Sequence, residues 1–183
     1  MRRRGGFGLV LAALGALSLA GCASPSAAGF LHPSSSAYSC DVYFSPKGGC
    51  TELIVRTIGQ AKQSILVQAY SFTSQPIADA LVKADQRGVN VNVLLDQGRR
   101  NEANSQANVL RHAGIPVLID AAHAIAHNKV MVIDREVVIT GSFNFTKGAE
   151  ERNAENLLML RDPVVAAKYE ANWQTHRQHC QPY

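Results

Sequence analysis

The sequence predicts an α/β protein, built as a mixed sheet between helices. Three observations carry that reading. Apolar runs of strand length alternate with segments of helical spacing, Gly and Pro punctuate the junctions, and two runs near residue 130 are joined by a tight turn. The 183 residues suffice for one domain with a proper core and are too few for two large ones.

In chain order, Arg2, Arg3 and Arg4 precede an uncharged run from Gly5 to Ala20, the arrangement of a secretory signal peptide over residues 1–21. The run is short for a membrane span, and no stop-transfer pattern follows. Its three arginines account for most of the formal charge of +4, leaving 15 Lys+Arg against 14 Asp+Glu. A globally basic nucleic-acid binder is therefore not indicated, and anion affinity must come from local clustering. Residues 22–37 are small, polar and Pro-containing, as a flexible tether would be, which leaves 38–183 as the domain.

Asp41 to Phe44 reads as a first strand, closed by Ser45-Pro46 and Gly48-Gly49. Thr51 is placed to cap a helix carrying Leu53, Ile54, Ile58 and Ala61. Ser64 to Tyr70 is a mostly apolar strand. Pro76 opens a helix with Ile77, Ala80, Leu81 and Ala84, stopped at Gly88. Val89 to Leu95 is a strand ending at Asp96-Gln97-Gly98, and a polar helix is expected over 102–113 before a short strand at 115–119. Strands at 128–133 and 136–140 flank Asp134-Arg135. A turn or short helix at 146–151, a strand at 156–160 and a helix from Val164 to Gln178 complete the chain, the last anchored by Val164, Ala167, Tyr169 and Trp173.

In the segment around the paired strands, alternation puts His127 and Lys129 on one side, and Ser142 and Asn144 likewise share a side. An imidazole, an ammonium, a hydroxyl and a carboxamide can thus converge on one small anion. Phosphate suits them, since charge-assisted donors fit its oxygens and an imidazole can attack its phosphorus. In sheets of this class ligands gather beyond strand ends, so Phe72 in Ser71-Phe72-Thr73, and Gln97 and Arg99 after the next strand, are candidates to line the site. Phe143 and Phe145 alternate with the polar pair and should face the core.

His127, Lys129, Asp134, Gly141, Ser142 and Asn144 together resemble the HxK(x)4D(x)6GSxN signature of the phospholipase D superfamily, with every fixed position matched. The stretch AYSFTS and Asn153 to Asn156 extend the likeness to the superfamily's compact single-motif endonucleases, from about Tyr38 to Trp173. The resemblance implies an α/β/α sandwich and a phosphodiesterase that forms a phosphohistidine on His127 without a metal. Lys129 and Asn144 would hold the non-bridging oxygens, with Ser142 adding a hydrogen bond. Glu155 occupies the place of the carboxylate that orients the imidazole. Asp134, of opposite strand parity to Lys129, reads as structural, bonding local backbone or a basic neighbour.

The family's chemistry uses two such motifs, one His as nucleophile and one as general acid. None of His32, His112, His123, His176 or His179 has Lys two residues on, so a homodimer completing the site across a two-fold axis is expected. No cofactor is expected, and no metal, because no cysteine pair has zinc-site spacing and no HExxH or acidic cluster is present. Leu19-Ala20-Gly21-Cys22 is similar to a bacterial lipoprotein box, which would lipidate Cys22 and anchor an exported protein at a membrane; the alternative is ordinary cleavage between Ala20 and Ala28. In an oxidising compartment Cys40 and Cys50, flanking a strand and a turn, are the first choice for a disulfide, with Cys180 free or pairing with either. For substrate, small size and Arg99, Arg100, Arg135, Lys147 and Arg152 near the motif favour nucleic acid. The alternatives are phospholipid, for which a tethered enzyme is well placed, and a non-catalytic binding module.

Overall fold

Successive strand residues face opposite ways, so a run such as Ser64–Ala69, apolar at nearly every position, can be buried only with a layer on each side. The computed structural model, which describes residues 38–183, has that three-layer form. In chain order it runs β1 (Ser39–Ser45), α1 (Cys50–Gln60), β2 (Ser64–Ala69), α2 (Gln75–Gln86), β3 (Asn90–Asp96), a 3-10 turn (Gln97–Arg99), α3 (Ala107–His112) and β4 (Val117–Asp120). It continues with β5 (Lys129–Ile133), β6 (Val137–Gly141), α4 (Lys147–Glu151), β7 (Glu155–Arg161), α5 (Pro163–Arg177) and β8 (Gln181–Pro182). The strands form one mixed sheet in the order β1-β7-β6-β5-β2-β3-β4-β8. β2, β3 and β4 are parallel; β5 runs antiparallel to β2, and β6, β7 and β1 continue antiparallel.

One face of the sheet packs Ile65, Val67, Val93, Met131 and Ile139 against Leu53, Ile54 and Ile58 of α1 and Ile77 and Leu81 of α2. The other packs Leu66, Leu94, Val130, Val132 and Val138 under α5. Trp173 anchors that helix, fully buried with Nε1 donating to Val67 O at 3.0 Å. An indole buried in this way contributes about 3–5 kcal/mol relative to alanine.

Several local readings shift. α1 starts at Cys50, and its N-terminal cap is tertiary: Glu150 accepts from Gly49 N and Thr51 N. The polar helix expected over 102–113 shrinks to the six residues of α3. On α5 the buried positions are Ala166 and Trp173, whereas Val164 is 67% exposed and Ala167 faces solvent, because Asp162 caps the helix and sets its phase one residue on. β8, too short for a periodic signal, pairs with β4.

The expected Cys40–Cys50 disulfide is not formed, and Cys40, Cys50 and Cys180 are free thiols. Cys40 is exposed on β1, while Cys50, the first residue of α1, is fully buried, and burial and the nearby Glu150 push its thiol up to about 11. The signal segment, the tether and Cys22 lie outside the described residues. Among the described residues no helix is long and apolar enough to cross a membrane.

Candidate active site

Because β5 runs against β2, its first residue lies beside the carboxyl end of β2. The motif is assembled at that edge. Two anchors place His127: buried Asp96, at the end of β3, accepts from Ala126 N at 2.7 Å, and Tyr70 N donates to Asn128 O at 2.9 Å. Between β5 and β6, Asp134 and Arg135 both have positive φ (54° and 59°), as in a type I′ turn, and Glu136 N donates back to Ile133 O at 3.1 Å.

His127, Lys129, Gly141, Ser142, Asn144 and Glu155 line one open cleft of about 370 Å³. The imidazole and Ser142 are exposed, whereas Lys129 is 6% exposed, with Nζ donating to His127 O at 2.8 Å. Burial lowers the Lys129 ammonium's pKa, and the charge of Glu155 partly offsets this. Asn144 has its amide Oδ1 buried without a partner. Gly141 is required by close approach: at φ 147° an added Cβ would lie 2.3 Å from Asn156 O. Phe143 and Phe145 are fully buried, as alternation requires.

The carboxylate expected to orient His127 is otherwise engaged. Glu155 Oε2 accepts from Ser142 Oγ at 2.6 Å and Oε1 from Asn153 Nδ2 at 3.1 Å. It lines the same cleft, but its hydrogen bonds fix the hydroxyl, because β7 pairs with β6 and so lies beside Ser142 rather than beside β5. Asp134 is structural. Its carboxylate accepts from Lys62 N, Gln63 N and Ser64 N at 2.8, 2.7 and 3.0 Å, clamping the α1–β2 connection at the far end of β5 from His127. Burial works against this carboxylate's charge, but those three donors outweigh it and hold its pKa below the usual range.

The substrate-lining candidates fare unevenly. Phe72 is 2% exposed and meets Phe145 edge-on, so it belongs to the core. Gln97 is exposed and does not line the cleft. Arg99 acts through a residue that the alternation argument missed: its guanidinium donates to Tyr70 Oη and lies 4.5 Å from that ring's centroid. Tyr70 in turn packs 4.6 Å from the His127 ring and 5.1 Å from Lys129 Nζ. Its place directly after an apolar strand is the signal that could have found it.

Of the basic residues read as a phosphate track, Arg99 stands beside the cleft through Tyr70, and three others are engaged elsewhere. Arg135 pairs with Glu170 at the remote hairpin, Lys147 with Glu151, and Arg100 lies over Tyr183. A second cluster was invisible to spacing rules and stands against the expectation of no metal set. Asp120, His123, His176 and His179 bring one donor atom each to within 4.8 Å of all the others.

Residues 54–177 match the family model described as "Cardiolipin synthase, PLD-like domain". A protein named phospholipase D from Rickettsia felis is 46% identical over 130 residues, covering 71% of this chain and 65% of its own length. The mitochondrial cardiolipin hydrolase of Xenopus laevis is 34% identical over 68% of this chain and 59% of its own. The chain thus spans somewhat under two thirds of the length of such relatives. Among solved structures, Nuc from Salmonella typhimurium, a phospholipase D family member, superposes with a TM-score of 0.75 and 37% identity over 80% of this chain and 98% of its own. NucT from Helicobacter pylori shares the fold with a TM-score of 0.73 at 24% identity, over 80% of this chain and 99% of its own. With every motif residue but Asp134 gathered in one cleft on this fold, the chain belongs to the phospholipase D superfamily, akin to the compact bacterial group.

Proposed function

We propose that the protein is a phosphodiesterase whose active site is completed by a second copy of the chain, and that its substrate is a phospholipid. The observation that carries the chemistry is the convergence of His127, Lys129, Ser142 and Asn144 on one open cleft. A ring nitrogen of His127 attacks phosphorus in line, forming the N–P bond as the P–O bond to the leaving alcohol breaks. The His127 of the second protomer gives its proton to the departing alkoxide, then takes one from the water that hydrolyses the phosphohistidine. Lys129 and Asn144 face the non-bridging oxygens and stabilise the added charge, a role that in other enzymes falls to a metal.

Two features support the dimer. Of the other described histidines none lines the cleft with His127: His123, His176 and His179 are gathered around Asp120, and His112 ends α3. Val42 and Phe44 on β1 are 49% and 65% exposed, and Phe44 is in register with Asn156, whose N–H donates to Ser142 Oγ. Among the described residues an unpartnered apolar strip thus borders the cleft, as an isologous interface through the site requires.

For substrate, the names of the Rickettsia and Xenopus relatives favour a phospholipid. The lipoprotein-type start would hold the site at a bilayer. The engagement of Arg100, Arg135 and Lys147 with partners outside the cleft weakens the nucleic-acid reading, which rests on near full-length similarity to compact members such as Nuc. The test incubates the purified protein, with chelator and below its melting temperature, with anionic phospholipid vesicles or with plasmid DNA. Release of headgroup or phosphatidate without nicking supports the proposal. Salt-sensitive nicking without lipid turnover replaces phospholipid by nucleic acid, and turnover of neither refutes the phosphodiesterase.

A further inference from the structure

We propose that Asp120, His123, His176 and His179 form a structural site for a divalent transition-metal ion of the zinc type, separate from the catalytic cleft. Asp120 closes β4 and is 2% exposed; His123 follows it by one turn of loop. His176 lies in the last turn of α5 and His179 in the turn that follows it, where His179 N donates to His176 O at 3.2 Å. His176 Nδ1 lies 2.7 Å from Asp120 Oδ2, His123 Nδ1 3.0 Å from Oδ1 and His179 Nε2 3.3 Å from Oδ1. The three rings stand 4.8–5.4 Å apart by centroid, gathered on one carboxylate. Three neutral imidazoles and one carboxylate are a donor set of borderline softness, suited to Zn²⁺ rather than to Mg²⁺ or Ca²⁺.

The dimensions agree. Ligand bonds of about 2.0–2.1 Å in a tetrahedron put donor atoms roughly 3.4 Å apart. The four donors here all lie within 4.8 Å, so an ion at their centre requires only side-chain adjustment. Asp120 is oriented for this by Ala122 N, which donates to Oδ1 at 3.1 Å. His123 and His179 side chains, 44% and 33% exposed, give an entry path.

Four protein ligands close the coordination sphere, which marks a structural rather than a catalytic ion. β4 is separated from β5 by β3 and β2, about 14 Å across the sheet at the usual strand spacing. The ion would staple the C-terminal end of α5 to β4. It would also fix the start of the loop that ends at His127, whose other anchor is Asp96. It therefore positions that loop and takes no part in phosphoryl transfer.

The test uses the full chain purified without a histidine tag, incubated with Zn²⁺, desalted and analysed for bound metal. The expected result is about one zinc per chain, a melting temperature more than about 5 °C above that of the chelated protein, and, with Co²⁺, the visible bands of a tetrahedral N,O site. His176→Ala/His179→Ala should retain no zinc and melt with or without Zn²⁺ like the chelated wild type. Should that variant not fold, His123→Ala, whose ring is the most exposed of the three, should bind zinc at least about 10-fold more weakly. A wild type that keeps no zinc, or a His123→Ala variant that binds it unchanged, overturns the site. Lost phosphodiesterase turnover on chelation, with the melting temperature unmoved, overturns its structural role. Metal content and melting are read whether or not the protein turns over any lipid, so failure of the proposed activity leaves this test intact.

Discussion

Asp134 is part of the signature yet stands at the far end of β5 from His127, so its removal should cost stability and not chemistry. The carboxylate accepts from Lys62 N, Gln63 N and Ser64 N at 2.8, 2.7 and 3.0 Å. Hydrogen bonds to a charged group contribute about 1.5–3 kcal/mol each. Lys62 and Gln63 are exposed, so their N–H groups regain water in the variant and most of that value is recovered. Ser64 N is part-buried and recovers less. Alanine at a φ of 54° adds a cost that Asp avoids. Together these predict a loss of about 2–4 kcal/mol for Asp134→Ala, and about half that for Asp134→Asn, which keeps one acceptor oxygen. Urea unfolding should show a lower midpoint with an unchanged slope. The folded pKa of this carboxylate is depressed, so its contribution is present above about pH 3.9 and is lost as pH falls through the folded value. The gap between wild type and Asp134→Asn should accordingly narrow below about pH 4. An Asp134→Ala variant of unchanged midpoint that no longer turns over would refute the assignment and return Asp134 to the chemistry.

The remaining predictions follow from the cleft and the thiols. Gly141→Ala should lower both stability and activity, since its Cβ would meet Asn156 O at 2.3 Å and push β6 from β7; circular dichroism melts and initial rates together read this. His127→Ala should reduce turnover by more than about 10³-fold, and Lys129→Met by about 10²–10³-fold, with the fold retained in His127→Ala because that ring is exposed. The wild-type pH–rate profile should be bell-shaped, because two equivalent imidazoles must carry opposite protonation; a profile flat across neutral pH contradicts that division. Dithiothreitol should leave the melting temperature unchanged, as Cys40, Cys50 and Cys180 are free.

Much of this protein was legible in its sequence, for reasons particular residues make plain. The strand from Ser64 announces itself by a mostly apolar run and that from Val89 by early alternation, and Asp134-Arg135 between two further apolar runs sets the hairpin that carries His127 and Lys129. The polar pair Ser142 and Asn144 could be placed because Phe143 and Phe145 had to be buried. What could not be read depends on contacts distant in sequence. The cap of α1 is Glu150, about 100 residues away. Glu155 holds Ser142 because β7 is the neighbour of β6, an order that periodicity does not specify. Cys40 and Cys50, close in sequence, are both free, one exposed on β1 and the other buried at the start of α1. Asp120 and His176 meet at 2.7 Å across 56 residues, beyond the reach of any local ligand-spacing rule.

Subunit mixing tests most directly whether two chains make one site. Wild type and His127→Asn, allowed to exchange at equal amounts, form three kinds of dimer, and only the wild-type pair holds both imidazoles. Activity should fall to about one quarter of that of the same total of wild type. A fall to about one half, the value for chains that each act alone, would contradict the shared site.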